Sequence, residues 1–300
     1  MGQLENMALF IAVVESGSIT KASERLNLAK SAVSKRLQEL EQNLGVTLIN
    51  RTTRSSSLTE AGQRYFKQAQ LITDEVAELN AQMTRSQSKL SGHLRVSAPL
   101  SFSLHHLTPV IDQFCKRHPE LTLELDLSDA KVNLVEDGID LALRIGELAD
   151  SSLQAKRITQ ISHVLCVSPD YVSEHGAPIT PDELSQHRLL KYSQQASTSI
   201  TLTDSAGVVH TPNLTPHVIA NNGDVLAQMA IAGHGITLLP RFIAWQAIND
   251  GRLSVLLPNY RLNQFGAYVV YPATRYLPQK SRLFIDFLME YFGDKPYWER

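Results

Sequence analysis

The sequence predicts a chain of three parts: an all-α module with a short β-hairpin, a long linker helix, and an α/β region of two lobes. Apolar residues recur at helical spacing through residues 1–58. Residues 59–90 contain good helix formers and no proline. From residue 91 to 300, strand-like and helix-like segments alternate, which is typical of α/β folds. Within 91–300 we expect a first lobe of residues 91–161 and 266–300 and a second lobe of residues 162–265.

The composition indicates a cytoplasmic protein without disulfides. The chain of 300 residues is 43% hydrophobic, which is enough for buried cores. It has only two cysteines, Cys115 and Cys166, and no CxxC pair, so a reducing compartment fits best. The first residues lack a signal-peptide pattern, and no run approaches the roughly 18 apolar residues of a membrane span. We therefore expect no membrane contact.

Three short helices are predicted before Gly45. The first ends at Gly17, and the second spans residues 20–27 with Thr20 as its N-cap. The third begins near Ser31 and ends at Gly45, because glycine is favoured as a C-terminal cap. The apolar residues expected on the buried faces are Leu4, Met7, Ile11 and Val14, then Ala22 and Leu26, then Val33, Leu37, Leu40 and Leu44.

The opposite face of the third helix is polar, and positive charge gathers around it. A helix start with short hydroxyl side chains and a lysine suits insertion into a DNA major groove. Strands over 47–51 and 56–58 would form a basic hairpin beside it. Seven basic and three acidic residues lie between positions 20 and 57, although the whole chain has a net charge of -2. A generic three-helix bundle explains each helix alone equally well. The polar-face residues are Ser31, Ser34, Lys35 and Gln38.

The stretch from Phe10 to Gly62 resembles the winged helix-turn-helix of the LysR-type transcriptional regulators almost end to end. Ile19 and Ile49 stand where that family has phenylalanine, and both remain apolar. The matching landmarks are Gly17-Ser18, Ala22, Leu26, Ser31, Val33-Ser34, Leu40-Glu41, Leu44-Gly45, Leu48, Arg51, Arg54 and Leu58-Thr59-Glu60-Ala61-Gly62. With the polar face and the hairpin, the resemblance implies that double-stranded DNA is contacted by Lys30, Ser31, Ser34, Lys35, Arg36, Gln38, Arg51, Thr53 and Arg54.

The linker helix carries an apolar stripe with heptad spacing, which favours a paired helix. A helix of about thirty residues would extend ~45 Å, too far for the N-terminal module to cover its stripe alone. Dimerisation therefore explains the stripe better than packing within one chain. It would also present two recognition helices to the half-sites of an inverted repeat. A homodimer and a homotetramer fit equally. The stripe consists of Tyr65, Ala69, Ile72, Val76, Leu79 and Met83.

The C-terminal region has repeated βαβ patterning. The first unit is predicted to have strands 94–98, 121–127 and 140–144 with helices 103–117 and 132–136. The second has strands 164–167, 189–192, 218–220 and 235–239 with helix 224–232, after which strand 266–271 and helix 279–292 return to the first lobe. Four fragments resemble the LysR effector domain, which has the fold of type 2 periplasmic binding proteins. They are Leu94-Arg95-Val96, residues 140–146, Ser168-Pro169-Asp170-Tyr171 and residues 232–240.

The resemblance implies a small-molecule effector between the lobes, held by residues at strand ends. Ser101 follows the first strand at a helix start that attracts anions, and Arg144 suits a carboxylate. We therefore expect an anionic metabolite to contact Ser101, Ser128, Arg144 and Asn222. Two alternatives stay open: Ser101 and Asn222 could simply cap helices, and Arg144 could pair with an acid of the protein.

The sequence has no recognisable catalytic or cofactor motif. P-loop, HExxH and GxSxG patterns are missing, and Gly233-His234-Gly235 fails as a dinucleotide motif because Leu238 holds its sixth position. His105 and His106 are adjacent on a helix and should point apart, which is poor metal-ligand geometry. We expect a regulator with no cofactor and no metal, and with RNA polymerase as a further partner left open. An enzyme fused to a DNA-binding module and a constitutive DNA-binding regulator with a vestigial cleft are the alternatives.

Overall fold

The computed structural model describes residues 2–51, 56–83, 90–130, 132–146, 153–194, 198–273 and 277–299. The N-terminal module contains three helices and an antiparallel hairpin. Its elements are α1 (Gln3–Ser16), α2 (Ile19–Leu26), α3 (Lys30–Leu44), β1 (Ile49–Arg51) and β2 (Ser56–Leu58). Their shared core includes Phe10, Val33, Leu37 and Leu48, each at most 1% exposed.

The predicted buried face of α1 is wrong in part. Leu4 is 41% exposed, whereas Leu9, Phe10 and Val13 are buried. The reason is that α1 contacts α2 and α3 as well as the linker helix, so a stripe one residue wide cannot describe its buried face.

The helix ends of the module also differ from expectation in one place. Ser18, not Thr20, caps α2, because the Ser18 hydroxyl accepts a hydrogen bond from the Lys21 N–H at 3.1 Å. Leu44, expected on the buried face of α3, is 37% exposed at the end of that helix. Gly45 ends α3 as predicted, with a left-handed φ of 68°.

The linker helix α4 (Glu60–Met83) leaves the module at a tight contact. The Thr59 hydroxyl accepts the Gly62 N–H at 2.9 Å and donates to the Thr47 carbonyl at 2.7 Å, so it caps α4 and ties it to the hairpin. A Cβ added at Gly62 would lie 2.0 Å from the Leu48 carbonyl oxygen. Glycine at this position therefore permits the close approach of α4 to the hairpin.

The predicted dimer stripe on α4 needs correction at its N-terminal end. Ala69 has no exposed surface, and the ring of Tyr65 packs edge-on against Phe10 of the same chain at 5.4 Å. Both side chains belong to the core of their own chain because α1 lies over the first turns of α4. Ile72 and Leu79 are exposed, whereas the side chain of Met83 lies outside the described residues.

Two five-stranded mixed sheets form the C-terminal region. Lobe I has the strand order β4-β3-β5-β15-β6, and lobe II has β11-β8-β12-β7-β13. The elements of lobe I are β3 (Gly92–Ala98), α5 (Leu100–Phe102), α6 (Thr108–Arg117), β4 (Leu121–Leu127), β5 (Leu141–Gly146), β6 (Leu153–Ile161), β15 (Phe265–Pro272), α10 (Gln279–Phe292) and a 3-10 turn (Tyr297–Glu299).

Lobe II adds a small three-stranded sheet of order β10-β9-β14. The chain passes between the lobes twice, from β6 to β7 and from β14 to β15. The elements of lobe II are β7 (His163–Val167), α7 (Pro169–His175), a 3-10 turn (Asp182–Gln186), β8 (Arg188–Tyr192), β9 (Leu202–Thr203), β10 (Val209–His210), β11 (Thr215–Ala220), α8 (Gly223–Ile231), β12 (Ile236–Pro240), α9 (Arg241–Asn249), β13 (Ser254–Val255) and β14 (Arg261–Leu262).

Three predictions for the lobes were wrong or incomplete. The helix expected over 132–136 is a turn, because Asp137 accepts the Asn133 N–H at 3.0 Å and Gly138 then adopts a φ of 63°. The helix expected over 103–117 begins at Leu100 and has a π-helical segment over Ser103–Leu107. Strand β6, the short strands β9, β10, β13 and β14, and helices α7 and α9 were not predicted. Among the described residues, no helix is long and apolar enough to span a membrane.

Candidate nucleic-acid interface and interlobe cleft

Helix α3 presents the predicted polar face to solvent. Lys30, Ser31, Lys35 and Gln38 are exposed, and Ser34 and Arg36 are half-buried, while Val33 and Leu37 anchor the opposite face. Among the described residues, no side chain caps the start of α3. Its first N–H groups and the positive end of its helix dipole therefore lie at the same helix end as Lys30 and Ser31. This helix end combines hydrogen-bond donors with positive charge, which suits a phosphate or a base edge.

Lys35 makes a weak ion pair with Glu39, with 3.8 Å between Nζ and Oε1. Both side chains are more than half exposed, so this pair contributes little and does not hold the lysine in place. The ammonium group of Lys35 can therefore turn toward an external phosphate.

The hairpin is fixed to α3 by one carboxylate. Glu41 accepts the N–H groups of Leu48 at 2.8 Å and Ile49 at 3.1 Å. Arg51 is the last described residue before the hairpin tip, and its strand partner is Ser56. The Arg51 side chain, Thr53 and Arg54 lie outside the described residues, so their contacts with DNA stay predictions.

A cleft of about 460 Å³ lies between the lobes. It extends from the crossings, where His163, Asn263 and Phe265 line it, to Ser101 of lobe I and Gly223 of lobe II. Apolar side chains of both lobes, such as Ile145 and Phe242, line the cleft between these ends. A volume of this size fits a small metabolite.

Two of the four predicted effector residues line the cleft, Ser101 and Arg144. The other two have local partners and are not among the lining residues, so their contact with an effector stays a prediction. Ser128 accepts the Ala130 N–H at 3.1 Å. Asn222 caps α8 by accepting the N–H groups at the start of that helix at 3.0 and 3.1 Å.

Among the described residues that line the cleft, Arg144 is the only arginine or lysine. Its Nη1 donates to the Leu143 carbonyl at 3.0 Å, and the charges of Asp126 and Asp129 act on it. Burial lowers the pKa of Arg144, and the two carboxylates oppose that effect. Burial likewise raises the pKa of Asp129, against the N–H of Leu100 and the charge of Arg144. The cleft therefore holds a partly desolvated guanidinium with a carboxylate beside it.

His163 contributes an uncharged imidazole at the crossing. Burial lowers its pKa to about 4, and its ring packs edge-on against Phe265 at 4.7 Å. A neutral ring offers a hydrogen bond without charge, whereas the guanidinium of Arg144 offers charged donors.

Asp224 closes the other end of the cleft with an interlobe bridge that the sequence did not predict. The Ser101 hydroxyl donates to Asp224 Oδ2 at 2.5 Å, and His105 Nε2 lies 2.7 Å from Asp224 Oδ1. Asn222 Nδ2 also donates to the Ser101 hydroxyl at 3.4 Å. Ser101 and His105 belong to lobe I, whereas Asn222 and Asp224 belong to lobe II. No spacing signal links residues more than 100 positions apart, which explains the omission.

His106 is buried and has other hydrogen-bond partners than His105. Its Nε2 lies 3.0 Å from the Phe242 carbonyl and its Nδ1 lies 2.5 Å from the Tyr297 hydroxyl. Burial lowers the pKa of His106 to about 4, so the ring is neutral and both nitrogens have partners. Among the described residues, no group of three or more His, Cys, Asp or Glu side chains is arranged to hold a metal ion.

The N-terminal and C-terminal parts of the chain each match a family model built from known proteins. Residues 4–63 match the family model described as bacterial regulatory helix-turn-helix protein, lysR family, and residues 87–293 match the LysR substrate binding domain. The HTH-type transcriptional regulator CrgA of Neisseria meningitidis serogroup C (strain 8013) is 36% identical over 292 residues, covering 97% of each chain.

Solved structures agree over the full length. The structure of CrgA, a LysR-type transcriptional regulator from Neisseria meningitidis, matches with a TM-score of 0.63 and 35% identity, covering 97% of this chain and 99% of that one. The full-length structure of the Vibrio cholerae virulence activator AphB matches with a TM-score of 0.60 and 31% identity, with the same coverage. The chain belongs to the LysR family and is a DNA-binding transcription regulator with an effector-binding domain.

Proposed function

We propose that this regulator binds an inverted repeat in promoter DNA as a homodimer or homotetramer, and that a small anionic metabolite in the interlobe cleft changes that binding. The observation that carries the proposal is the exposed start of α3, where Lys30, Ser31 and Lys35 stand beside uncapped N–H groups. The opposite face of α3 packs into the core of the module, so the module holds the helix in place for contact with DNA bases. Arg36, Arg51, Thr53 and Arg54 would extend the contact along the duplex.

The test of DNA binding compares Lys35 of α3 with Lys116 of α6, two exposed lysines in similar ion pairs. Lys35 pairs with Glu39 and Lys116 pairs with Asp112, both at i,i+4 spacing on exposed helix faces. Lys35→Ala should weaken promoter binding and reduce the slope of log affinity against log salt by about 0.9, the value for one phosphate contact. Lys116→Ala should change neither. Equal effects of the two substitutions would rule out α3 as the reading helix.

The self-association surface that we propose is the distal part of α4. Ile72 is 38% exposed and Leu79 is 55% exposed, and Val76 lies between them on the same stripe. A second chain that covered these apolar side chains would remove their surface from water, which is favourable. Leu79→Glu should shift the sedimentation coefficient of the full chain toward the monomer, whereas Glu75→Gln on the same helix should not. A wild-type chain that sediments as a monomer would contradict self-association through α4.

The effector class follows from the charge of the cleft. Arg144 is its cation, and the apolar walls around Ile145 and Phe242 suit a small organic anion. Ser101 is already bonded to Asp224, so we assign the anionic group of the effector to the Arg144 end. The relatives are named transcriptional regulators, and we propose that this chain likewise acts in the cytoplasm by binding rather than by catalysis. A direct contact with RNA polymerase would link DNA binding to transcription.

A further inference from the structure

The cleft holds a carboxylate close to the arginine to which the effector anion is assigned. Asp129 lies two residues after the end of β4, and Arg144 belongs to β5. Both side chains line the cleft. Strand β3 lies between β4 and β5 and is parallel to both. The carboxyl ends of the three strands therefore lie together, with the acid on one side of β3 and the arginine on the other.

The guanidinium of Arg144 reaches from β5 toward the side of the sheet that carries Asp129. Its Nη2 lies 3.5 Å from Ser97 Oγ of β3, and its Nη1 donates to the Leu143 carbonyl at 3.0 Å. Since Ser97 belongs to the central strand, the guanidinium is about one strand spacing, roughly 5 Å, from β4. Among the described residues these two are its hydrogen-bond acceptors, and an arginine has five N–H groups. Donors therefore remain for a ligand.

The carboxylate of Asp129 faces charged and polar groups of both lobes. Burial raises the pKa of Asp129, and the charge of Asp224 adds to that effect. The N–H of Leu100 and the charge of Arg144 oppose it. From lobe II, Tyr192 also lines the cleft; burial raises the pKa of Tyr192, and the charge of Asp129 raises it further. Asp129 is therefore a partly desolvated hydrogen-bond acceptor at the interlobe surface.

A ligand with nothing but an anionic group fits this pair of residues poorly. When bound to Arg144, its negative charge would face the carboxylate of Asp129, and like charges repel in a partly desolvated cleft. The oxygens of Asp129 would also lose water without gaining a donor from the ligand. A hydroxyl or ammonium group beside the carboxylate of the ligand removes both costs, because it donates to Asp129 while the carboxylate accepts from Arg144.

We propose that the effector is a carboxylate with a hydrogen-bond donor, a hydroxyl or an ammonium group, on the adjacent carbon, and that Asp129 binds this donor while Arg144 binds the carboxylate. The inference rests on the proposed function and adds the second polar group of the ligand. The apolar walls around Ile145 and Phe242 would cover its hydrocarbon part. Asp129 is then the residue that determines specificity within the cleft.

The test compares ligands that differ only in the donor. Phenylpropionate has none, phenyllactate has a hydroxyl, and phenylalanine has an ammonium group. Isocaproate, hydroxyisocaproate and leucine form a second trio with a smaller apolar body. In isothermal titrations of the full chain, a donor-bearing probe should bind about tenfold tighter than its plain carboxylate, which is the size of one hydrogen bond to a charged group. The tighter of the two donor-bearing probes identifies the donor as hydroxyl or ammonium.

Substitutions in the cleft test the assignment of each group. Asp129→Asn should reduce the preference for a hydroxyl from about tenfold to about threefold, since a neutral hydrogen bond is about half as strong as a charge-assisted one. It should reduce a preference for an ammonium group further. Arg144→Gln should weaken the binding of every probe. The matched control is Asp126→Asn, because Asp126 also acts on the charge of Arg144 but is not among the residues that line the cleft. This control should keep the ranking of the probes.

The outcomes separate this inference from the proposed function. Plain carboxylates that bind as tightly as their donor-bearing partners would overturn the inference and leave the anion site in place. A failure of all six probes to bind, or an equal loss of preference in folded Asp129→Asn and Asp126→Asn, would also overturn it. Circular dichroism melting shows that the variants fold. A probe that binds with the expected ranking but leaves the DNase I footprint unchanged would support the inference and contradict effector control.

Discussion

The N-terminal module and the effector lobes differ in how far apart along the chain their functional residues lie. The predicted DNA contacts fall between Lys30 and Arg54, and one helix and one hairpin carry them all. The cleft draws residues from Pro99 to Phe265, and its closing bridge joins Ser101 to Asp224. Helical spacing therefore predicts the face of α3, whereas no local pattern predicts which side chains meet across the cleft.

The largest expected effect sharpens this comparison by placing the same substitution where the linker helix packs on the module and at the start of a lobe II helix. A Cβ at Gly62 would meet the Leu48 backbone carbonyl at 2.0 Å, whereas one at Gly223 would meet Cδ1 of Ile243 at 2.5 Å. A backbone atom cannot move aside as a side-chain end can. Gly62→Ala should therefore lower the free energy of unfolding by about 3 kcal/mol, and Gly223→Ala by about 1 kcal/mol or less, in urea titrations of the full chain. The reverse order would show that the module is the more adaptable region.

The next effect is a pH dependence of the free energy of unfolding, and it comes from a histidine of lobe I. His106 is buried and neutral, with its pKa lowered to about 4, while the unfolded chain binds a proton near pH 6.5. Protonation of the unfolded chain therefore lowers the free energy of unfolding as the pH falls from 6.5 toward 4. For this histidine the loss is about 1.4 kcal/mol per pH unit. His106→Gln should flatten the slope of unfolding free energy against pH, measured by urea titration. The exposed His234→Gln is the control, and equal slopes in both variants would contradict the assignment.

The smallest effect concerns the interlobe bridge. Asp224→Asn should lower the free energy of unfolding by about 1 kcal/mol and speed hydrogen exchange at the start of α8, because it weakens charge-assisted bonds to Ser101 and His105. Asp170→Asn is the matched control, since Asp170 also lies in the first turn of a lobe II helix. Faster exchange in Asp170→Asn alone would mean that the bridge does not hold the lobes together.

Much of the fold was predictable because apolar spacing records which face of an element is buried. Helix α10 was predicted over the observed residues, and the strands of both sheets were mostly found. Strand β6 was missed because its only buried residues are Ile158, Thr159 and Ile161, so it lacks a clear apolar pattern.

The site was predicted less completely, for a physical reason that its residues show. Ser128 and Asp129 are adjacent after the same strand, yet only Asp129 lines the cleft, since successive side chains point in different directions. Tyr65 and Ala69 matched a dimer stripe but are covered by α1 of their own chain. Spacing identifies an apolar face and leaves open which partner covers it.

The most direct test of the central claim asks whether filling the cleft changes the contact with DNA. DNase I footprints of the full chain on its promoter should change when an anionic metabolite fraction is added. Arg144→Gln should bind the promoter normally and lose that response, whereas Arg157→Gln, an exposed arginine of lobe I, should keep it. A wild-type footprint that no metabolite alters, or one that responds equally in Arg144→Gln, would contradict the account.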